Sequence, residues 1–190
     1  MKQHAPLTDT ELISLIIKGD TSTYEKIMVR YEQKLLRYVN FLMYDPDAAA
    51  DVVQDTFIKA YQNLQSYKPK YNFSTWIYRI AHNEAMNAIK KNRRIVHQSD
   101  IEDIPQIFSE ESGIESKIDR DILRKDVQHC MRELSPNQRE ILILYYFQEM
   151  KYAEISSVLW IPSASVGVNL LRAKQALKAI CQKHRVEYEA

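Results

Sequence analysis

Apolar residues in this chain return at intervals of three and four between abrupt, well-marked helix starts, and only three glycines and six prolines punctuate its 190 positions. Leu, Ile, Ala, Lys, Glu and Gln fill the long stretches between those breaks, so the chain reads as all-α. Thr8-Asp-Thr-Glu11, Ser22-Thr-Tyr-Glu25 and Ser135-Pro-Asn-Gln138 each set a capping oxygen three residues ahead of Glu or Gln. Asp45-Pro46 marks a fourth start, and Pro136 suits a first helical position. Leu12, Leu15 and Ile16, then Leu35, Tyr38, Val39 and Leu42, set out core-facing stripes.

With 45% hydrophobic content, 190 residues can bury one modest core or two small ones. The periodicity lapses after Arg94, where Ile95 to Gly113 mixes acids, Pro, Ser and Gly with isolated apolar residues. Two small helical domains are therefore expected, over 1–95 and 117–190, joined by an acidic linker over 96–116. The net charge of +1 conceals an uneven distribution: 14 basic against 10 acidic residues over 1–94, 4 against 9 over 95–126, and 8 against 6 over 127–190. Basic blocks flanking an acidic one suit nucleic-acid contact at two separated places.

No apolar run approaches the length of a membrane span, and an amphipathic segment stands where a signal-peptide core would, which predicts a cytoplasmic protein. Cys130 and Cys181 lack a CxxC partner or ligand spacing and read as reduced and structural. His4, His82, His97, His129 and His184 are scattered along the chain. Neither a metal site nor a cofactor is expected from these spacings.

At about one hundred degrees per residue, Asp51 to Leu64 separates into two helix faces. Val53, Phe57, Ala60 and Leu64 form a core side; Asp51, Gln54, Asp55, Ile58 and Gln62 gather opposite. Periodicity alone favours a solvated acidic face with one stray apolar residue; the alternative is a docking patch, an apolar centre ringed by carboxylates that grips a basic partner helix. Tyr67-Lys-Pro-Lys-Tyr-Asn-Phe-Ser-Thr-Trp76 then alternates rings with cations, which suits unpaired bases, although Tyr67, Phe73 and Trp76 also suit plugging a bundle end. On the helix that begins near Phe73 or Ser74, Arg79, Asn83, Asn87, Lys90 and Arg94 share one arc, while Ile77, Ile80, Ala81 and Ala88 lie elsewhere.

Residues 152–174 give a short helix, a break at Trp160-Ile-Pro162, and a longer helix opened by Ser163, the spacing of a helix-turn-helix. Ala153, Ile155, Leu159, Ile161, Val166 and Leu170 supply its internal contacts, leaving Ser163, Ser165, Asn169, Arg172 and Lys174 for DNA.

Taken in order, Asp51-Val-Val-Gln-Asp-Thr-Phe57, Phe73-Ser-Thr-Trp-Ile-Tyr-Arg-Ile-Ala-His-Asn83 and Leu134-Ser-Pro-Asn-Gln-Arg-Glu140 resemble the polymerase-core-binding segment, the promoter-melting helix and the opening of the fourth region of the extracytoplasmic-function sigma factors. The likeness runs from about Leu12 to Leu177. It implies a specificity subunit of RNA polymerase that is not an enzyme and takes no small-molecule substrate. Asp51, Gln54, Asp55 and Ile58 would then face the clamp of the largest, beta-prime subunit, which overturns the solvated reading of that face, and the beta subunit would be a further partner. Lys68, Asn72, Phe73, Arg79, Asn83, Asn87, Lys90 and Arg94 would meet the opened minus-10 strand, with a flipped base in the Tyr67 to Phe73 loop braced by Trp76. The second domain would read the minus-35 duplex of the promoter DNA, and the linker would thread the active-site cleft and RNA exit path. An anti-sigma partner, commonly membrane-anchored in the family, is expected to mask both faces.

The recognition helix departs from the family pattern. Trp160 stands where a turn glycine is usual, and Ala164-Ser-Val-Gly-Val-Asn169 replaces a Gly-Thr-Val-Lys-Ser-Arg-like start, so two cations are missing. Glu149 and Lys151 stand where a Gly and a Ser or Thr are common. Weaker phosphate anchoring and an altered minus-35 preference follow as expectations. Two other readings stand beside this one: a dimeric stand-alone helix-turn-helix regulator, and a helical metalloenzyme using Asp47, Asp51, Asp55, His82 and Glu84.

Overall fold

The computed structural model describes residues 7–70, 72–95 and 127–184, so the linker assigned to 96–116 lies outside the described residues. All regular structure among the described residues is helical. The chain packs as two units, Met1–Pro105 and Gln106–Ala190. No single helix among the described residues is long and apolar enough to cross a membrane.

The first unit opens with α1 (Asp9–Ile17), closed at its N-terminus by the expected reciprocal cap: the Thr8 hydroxyl accepts from the Glu11 amide, and the Glu11 carboxylate accepts from the Thr8 amide. Gly19, at φ +106°, turns the chain through a region that only glycine enters freely. Ser22 does not cap the next helix as its spacing suggested. The Asp20 carboxylate takes the hydroxyls of Ser22 and Thr23 at 2.6 and 2.8 Å, ordering a 3₁₀ turn over Thr21–Thr23, and α2 begins at Tyr24. α2 (Tyr24–Met43) ends at Tyr44 in the left-handed region; Asp45 then accepts from the Ala48 amide at 3.0 Å and starts α3 (Pro46–Gln62). A short 3₁₀ turn and a loop lead to α4 (Phe73–Ile95).

Leu12, Ile13 and Ile16 of α1, Ile27, Leu35, Tyr38 and Val39 of α2, Val53, Phe57 and Ala60 of α3, and Phe73, Ile77, Tyr78 and Ala85 of α4 build the first core. Leu15, expected in the α1 stripe, lies at the surface because its position falls about 110° from the stripe's centre, and Ile13 takes its place. Asp9 pins α1 to α2 by accepting from Arg30 and from the Tyr31 hydroxyl, each at 2.5 Å.

Burial pushes the hydroxyls of Tyr24, Tyr31 and Tyr78 well above the ordinary phenol range, and the Asp9 carboxylate adds to the effect at Tyr31. A folded phenol held neutral while its unfolded counterpart ionises near pH 10 means that the native state binds more protons above that pH. Their contribution is therefore complete below pH 10 and is lost above it, by about 1.4 kcal/mol per residue per pH unit. Absorbance at 295 nm should show these tyrosines ionising together with loss of helix; smooth ionisation of all tyrosines with the helix signal intact would contradict this.

The second unit contains α5 (127–133), α6 (Pro136–Leu142), a π-helical turn over Ile143–Phe147, α7 (Tyr152–Leu159) and α8 (Ser163–Lys183). Ser135 and Gln138 form the expected reciprocal cap of α6. Arg139 is buried and donates to the carbonyls of Met131, Arg132 and Leu134 at 2.9, 2.7 and 3.1 Å. Carbonyls at a helix end lack partners within the helix, so this one guanidinium closes α5 and fixes the corner into α6. Ile141, Ile143, Leu144, Ile155, Val158, Val166, Leu170 and Ala173 fill the core, with Cys130 and Cys181, both free thiols, buried among them. Ala153, expected as an internal contact of the α7/α8 pair, is exposed; Val158 occupies that role.

The turn between α7 and α8 carries backbone strain. Trp160 has φ +55° and ψ +37° and is 70% exposed, and Glu149 sits at φ +52° ahead of α7. Both are the positions where a glycine was missed in the sequence, and a left-handed residue with a Cβ costs about 1 to 2 kcal/mol. Trp160→Gly should therefore raise the stability of the second unit by about 1 kcal/mol in urea unfolding, after the extra freedom of glycine in the unfolded chain is offset; a loss of stability would assign the indole a structural role.

Candidate functional site

On α3, Asp51, Gln54, Asp55 and Ile58 are all exposed, Ile58 by 47%. They do not stand on a featureless surface. α2 and α3 enclose a groove of roughly 640 Å³ whose lining includes Met28, Leu36, Gln54, Phe57, Ile58 and Tyr61. Met28 and Tyr61, which no spacing singled out, are also exposed and extend the apolar floor on both sides of Ile58. Asp51 and Asp55 supply negative charge beside it. The groove thus joins an apolar floor to an acidic margin.

At the base of the loop ahead of α4, Tyr67 packs edge-on against Phe73 with ring centroids 5.4 Å apart, and Trp76 lies 5.6 and 5.5 Å from the two rings. Tyr31 adds a further edge contact to Phe73 at 5.5 Å. Phe73, expected to meet a DNA strand, is only 1% exposed, and its faces are already occupied by these neighbours. Burial also raises the Tyr67 hydroxyl above its ordinary range. Tyr67, Phe73 and Trp76 thus pack on one another, and Lys68, Lys70 and Asn72 of the loop are exposed. Trp76 is half-buried against both rings.

Along α4, Arg79 is half-buried, while Asn83, Asn87 and Lys90 are exposed. They recur at three and four residues, which sets them in one row about 16 Å long. The helix continues through position 94, but the side chain of Arg94 lies outside the described residues. Lys59 of α3 pairs with Glu84 of α4 at 2.5 Å beside this row.

On α8, Ser165 and Asn169 are half-buried and Ser163 and Arg172 are exposed. Ser165, Asn169 and Arg172 fall on one flank. Lys174 does not join them: it projects about 160° around the helix from Arg172, where its ammonium sits over the Tyr146 ring, 5.9 Å from the centroid. It lines a second groove, of roughly 540 Å³, together with Met131, Leu142, Tyr146, Phe147 and Leu171. Gly167 has its own reason to be in the helix, since a Cβ there would meet the Tyr152 ring at 3.3 Å; its absence lets α7 lie against α8.

The ligand set weighed for a metalloenzyme does not converge among the described residues, and Glu84 pairs with Lys59. Among the described residues, the three-residue group of His, Cys, Asp or Glu whose donor atoms converge is instead His129, Glu133 and His184. Histidines that look scattered in the sequence are brought together by the fold.

These features define a two-unit helical protein with an apolar, acid-rimmed groove and an amide-and-cation row in one unit and a helix-turn-helix in the other. The family model described as Sigma-70 region 2 matches residues 27–95, and the one described as Sigma-70, region 4 matches 124–177. The ECF RNA polymerase sigma-E factor of Salmonella typhimurium is 31% identical over 178 residues, covering 90% of this chain and 93% of the relative. The RNA polymerase sigma-H factor of Pseudomonas aeruginosa is 28% identical over 181 residues, covering 92% and 94%. The chain belongs to the extracytoplasmic-function group of the sigma-70 family, the sigma factors that direct RNA polymerase to promoters. Its fold is shared with the sigma factor RpoE from Bartonella quintana, solved in complex with the anti-sigma factor NepR, at a TM-score of 0.68 and 22% identity, over 84% of this chain and 96% of that one.

Proposed function

We propose that this chain guides core RNA polymerase to a subset of promoters through three separate surfaces, using binding energy and no chemistry of its own. The α2/α3 groove carries the proposal. Exposed Met28, Ile58 and Tyr61 beside Asp51, Gln54 and Asp55 offer a partner helix apolar burial and charge complementarity at once, and a stand-alone DNA-binding regulator has no use for such a trough. The beta-prime clamp is the occupant that family membership points to. The groove holding Tyr146, Phe147 and Lys174 suits a contact with the beta subunit, leaving Ser163, Ser165, Asn169 and Arg172 for the minus-35 duplex.

Asn83, Asn87 and Lys90, continued by Arg94, together with Lys68 and Asn72, supply the donors and charge for a single minus-10 strand. Phe73 and Trp76 hold the loop in place from within. Residues 1–95 act on the minus-10 element and 117–190 on the minus-35 element, the acidic 96–116 segment runs through the polymerase between them, and the protein works in the cytoplasm under an anti-sigma partner that covers the two grooves.

Fluorescence of 2-aminopurine placed in a forked promoter fragment tests the strand assignment. With holoenzyme, Asn83→Ala/Asn87→Ala should weaken fork binding about tenfold, the loss of one or two hydrogen bonds, with core affinity unchanged. Equal binding by variant and parent would remove these residues from the strand path. For the minus-35 duplex, the two missing cations should flatten the plot of log affinity against log salt by about 1.8 relative to family members that carry both.

A further inference from the structure

His129 and Glu133 stand four residues apart on α5, on one face of the helix, and His184 follows the last residue of α8. The fold brings His184 Nε2 into hydrogen-bonding contact with Glu133 Oε1 across 51 residues of sequence. The His129 and His184 rings meet edge to face with centroids 5.2 Å apart. One donor atom from each of the three residues lies within 4.8 Å of the others, and all three residues are exposed, so a cation reaches them without entering the core. We propose that the second unit binds one zinc-class divalent cation through His129, Glu133 and His184, tying the end of α8 to α5.

The two imidazoles are borderline donors that favour Zn(II) and its neighbours over Mg(II) or Ca(II), which take oxygen alone, and a carboxylate completes a ligand set that Zn(II) accepts. Bonds of about 2.1 Å place tetrahedral ligands about 3.4 Å apart. Three protein ligands leave a fourth position for water or a donor from another molecule. Lys183 Nζ, 3.8 Å from Glu133 Oε2, holds the carboxylate and moderates the affinity by its charge. Because α8 begins as the recognition helix, the ion would fasten that helix at its far end.

The test uses the full chain, stripped with chelator and titrated with Co(II) or Zn(II) alone. One equivalent of Co(II) should give the visible bands of a four- or five-coordinate nitrogen and oxygen site, and Zn(II) should displace it. His129→Ala, Glu133→Gln and His184→Ala should each weaken binding at least tenfold, and His184→Ala should abolish the rise in melting temperature that Zn(II) gives the parent. His82→Ala, on α4 of the other unit, should bind as the parent does. Absence of stoichiometric binding at tens of micromolar metal, or undiminished binding by both histidine variants, overturns the proposal. So does a thiolate-to-cobalt charge-transfer band, which would place the ion on Cys130 or Cys181.

Discussion

Ile58→Glu should lower the affinity for core RNA polymerase at least 100-fold and abolish core-dependent transcription while leaving the protein folded. The side chain is 47% exposed, so a carboxylate there stays hydrated in the free protein and helix content and melting temperature should be unchanged. In the complex the same carboxylate must leave water inside an apolar trough among residues such as Met28, Leu36 and Tyr61, in a field already made negative by Asp51 and Asp55. A cost of about 3 kcal/mol is a modest figure for that burial and corresponds to the 100-fold loss. Competition of the variant against labelled parent for core polymerase measures it directly. Ile58→Ala, which removes area without adding charge, should cost only about tenfold. Unchanged competition by Ile58→Glu would move the polymerase contact off this groove.

Arg139→Ala should destabilise the second unit by about 3 to 5 kcal/mol, most of the stability available to a domain of this size. The guanidinium donates to three carbonyls at the end of α5 and is itself buried, so its removal leaves those carbonyls without this donor. Arg139→Lys should recover only part of the loss, because a single ammonium cannot serve three carbonyls fixed around a planar fork. Urea unfolding followed by circular dichroism would show the second unit melting early and the first retained. A loss under 1 kcal/mol would mean that water closes the α5 end equally well.

The helical class, the caps at Thr8, Asp45 and Ser135, the core face of α3 and the break at Trp160 were all legible in the sequence, because each rests on neighbours within four positions. What was hidden depends on residues distant in sequence or on a competing local partner. Ser22 has the right spacing for a cap, but the nearer Asp20 carboxylate claims its hydroxyl. Phe73, at the start of α4, reads either as a stacking platform or as a plug of the bundle end, and packing against Tyr31, 42 positions earlier, decides for the core. Tyr146 and Phe147 end an unbroken apolar run from Ile141, where periodicity cannot tell inside from outside, and the π-helical turn shifts them to the surface. The position of Lys174 over the Tyr146 ring, 28 residues earlier, is another such contact. The convergence of His129 and His184 is invisible to any spacing rule.

The account stands or falls on initiation by polymerase. Purified core enzyme, this protein and a library of promoter fragments, with sequencing of the transcripts that depend on its addition, measure that in one experiment. The account predicts start sites that share a minus-10 and a minus-35 element and vanish with Ile58→Glu. Tight binding to duplex DNA with no transcript dependent on the added protein would contradict it and leave a regulator that acts without the polymerase core.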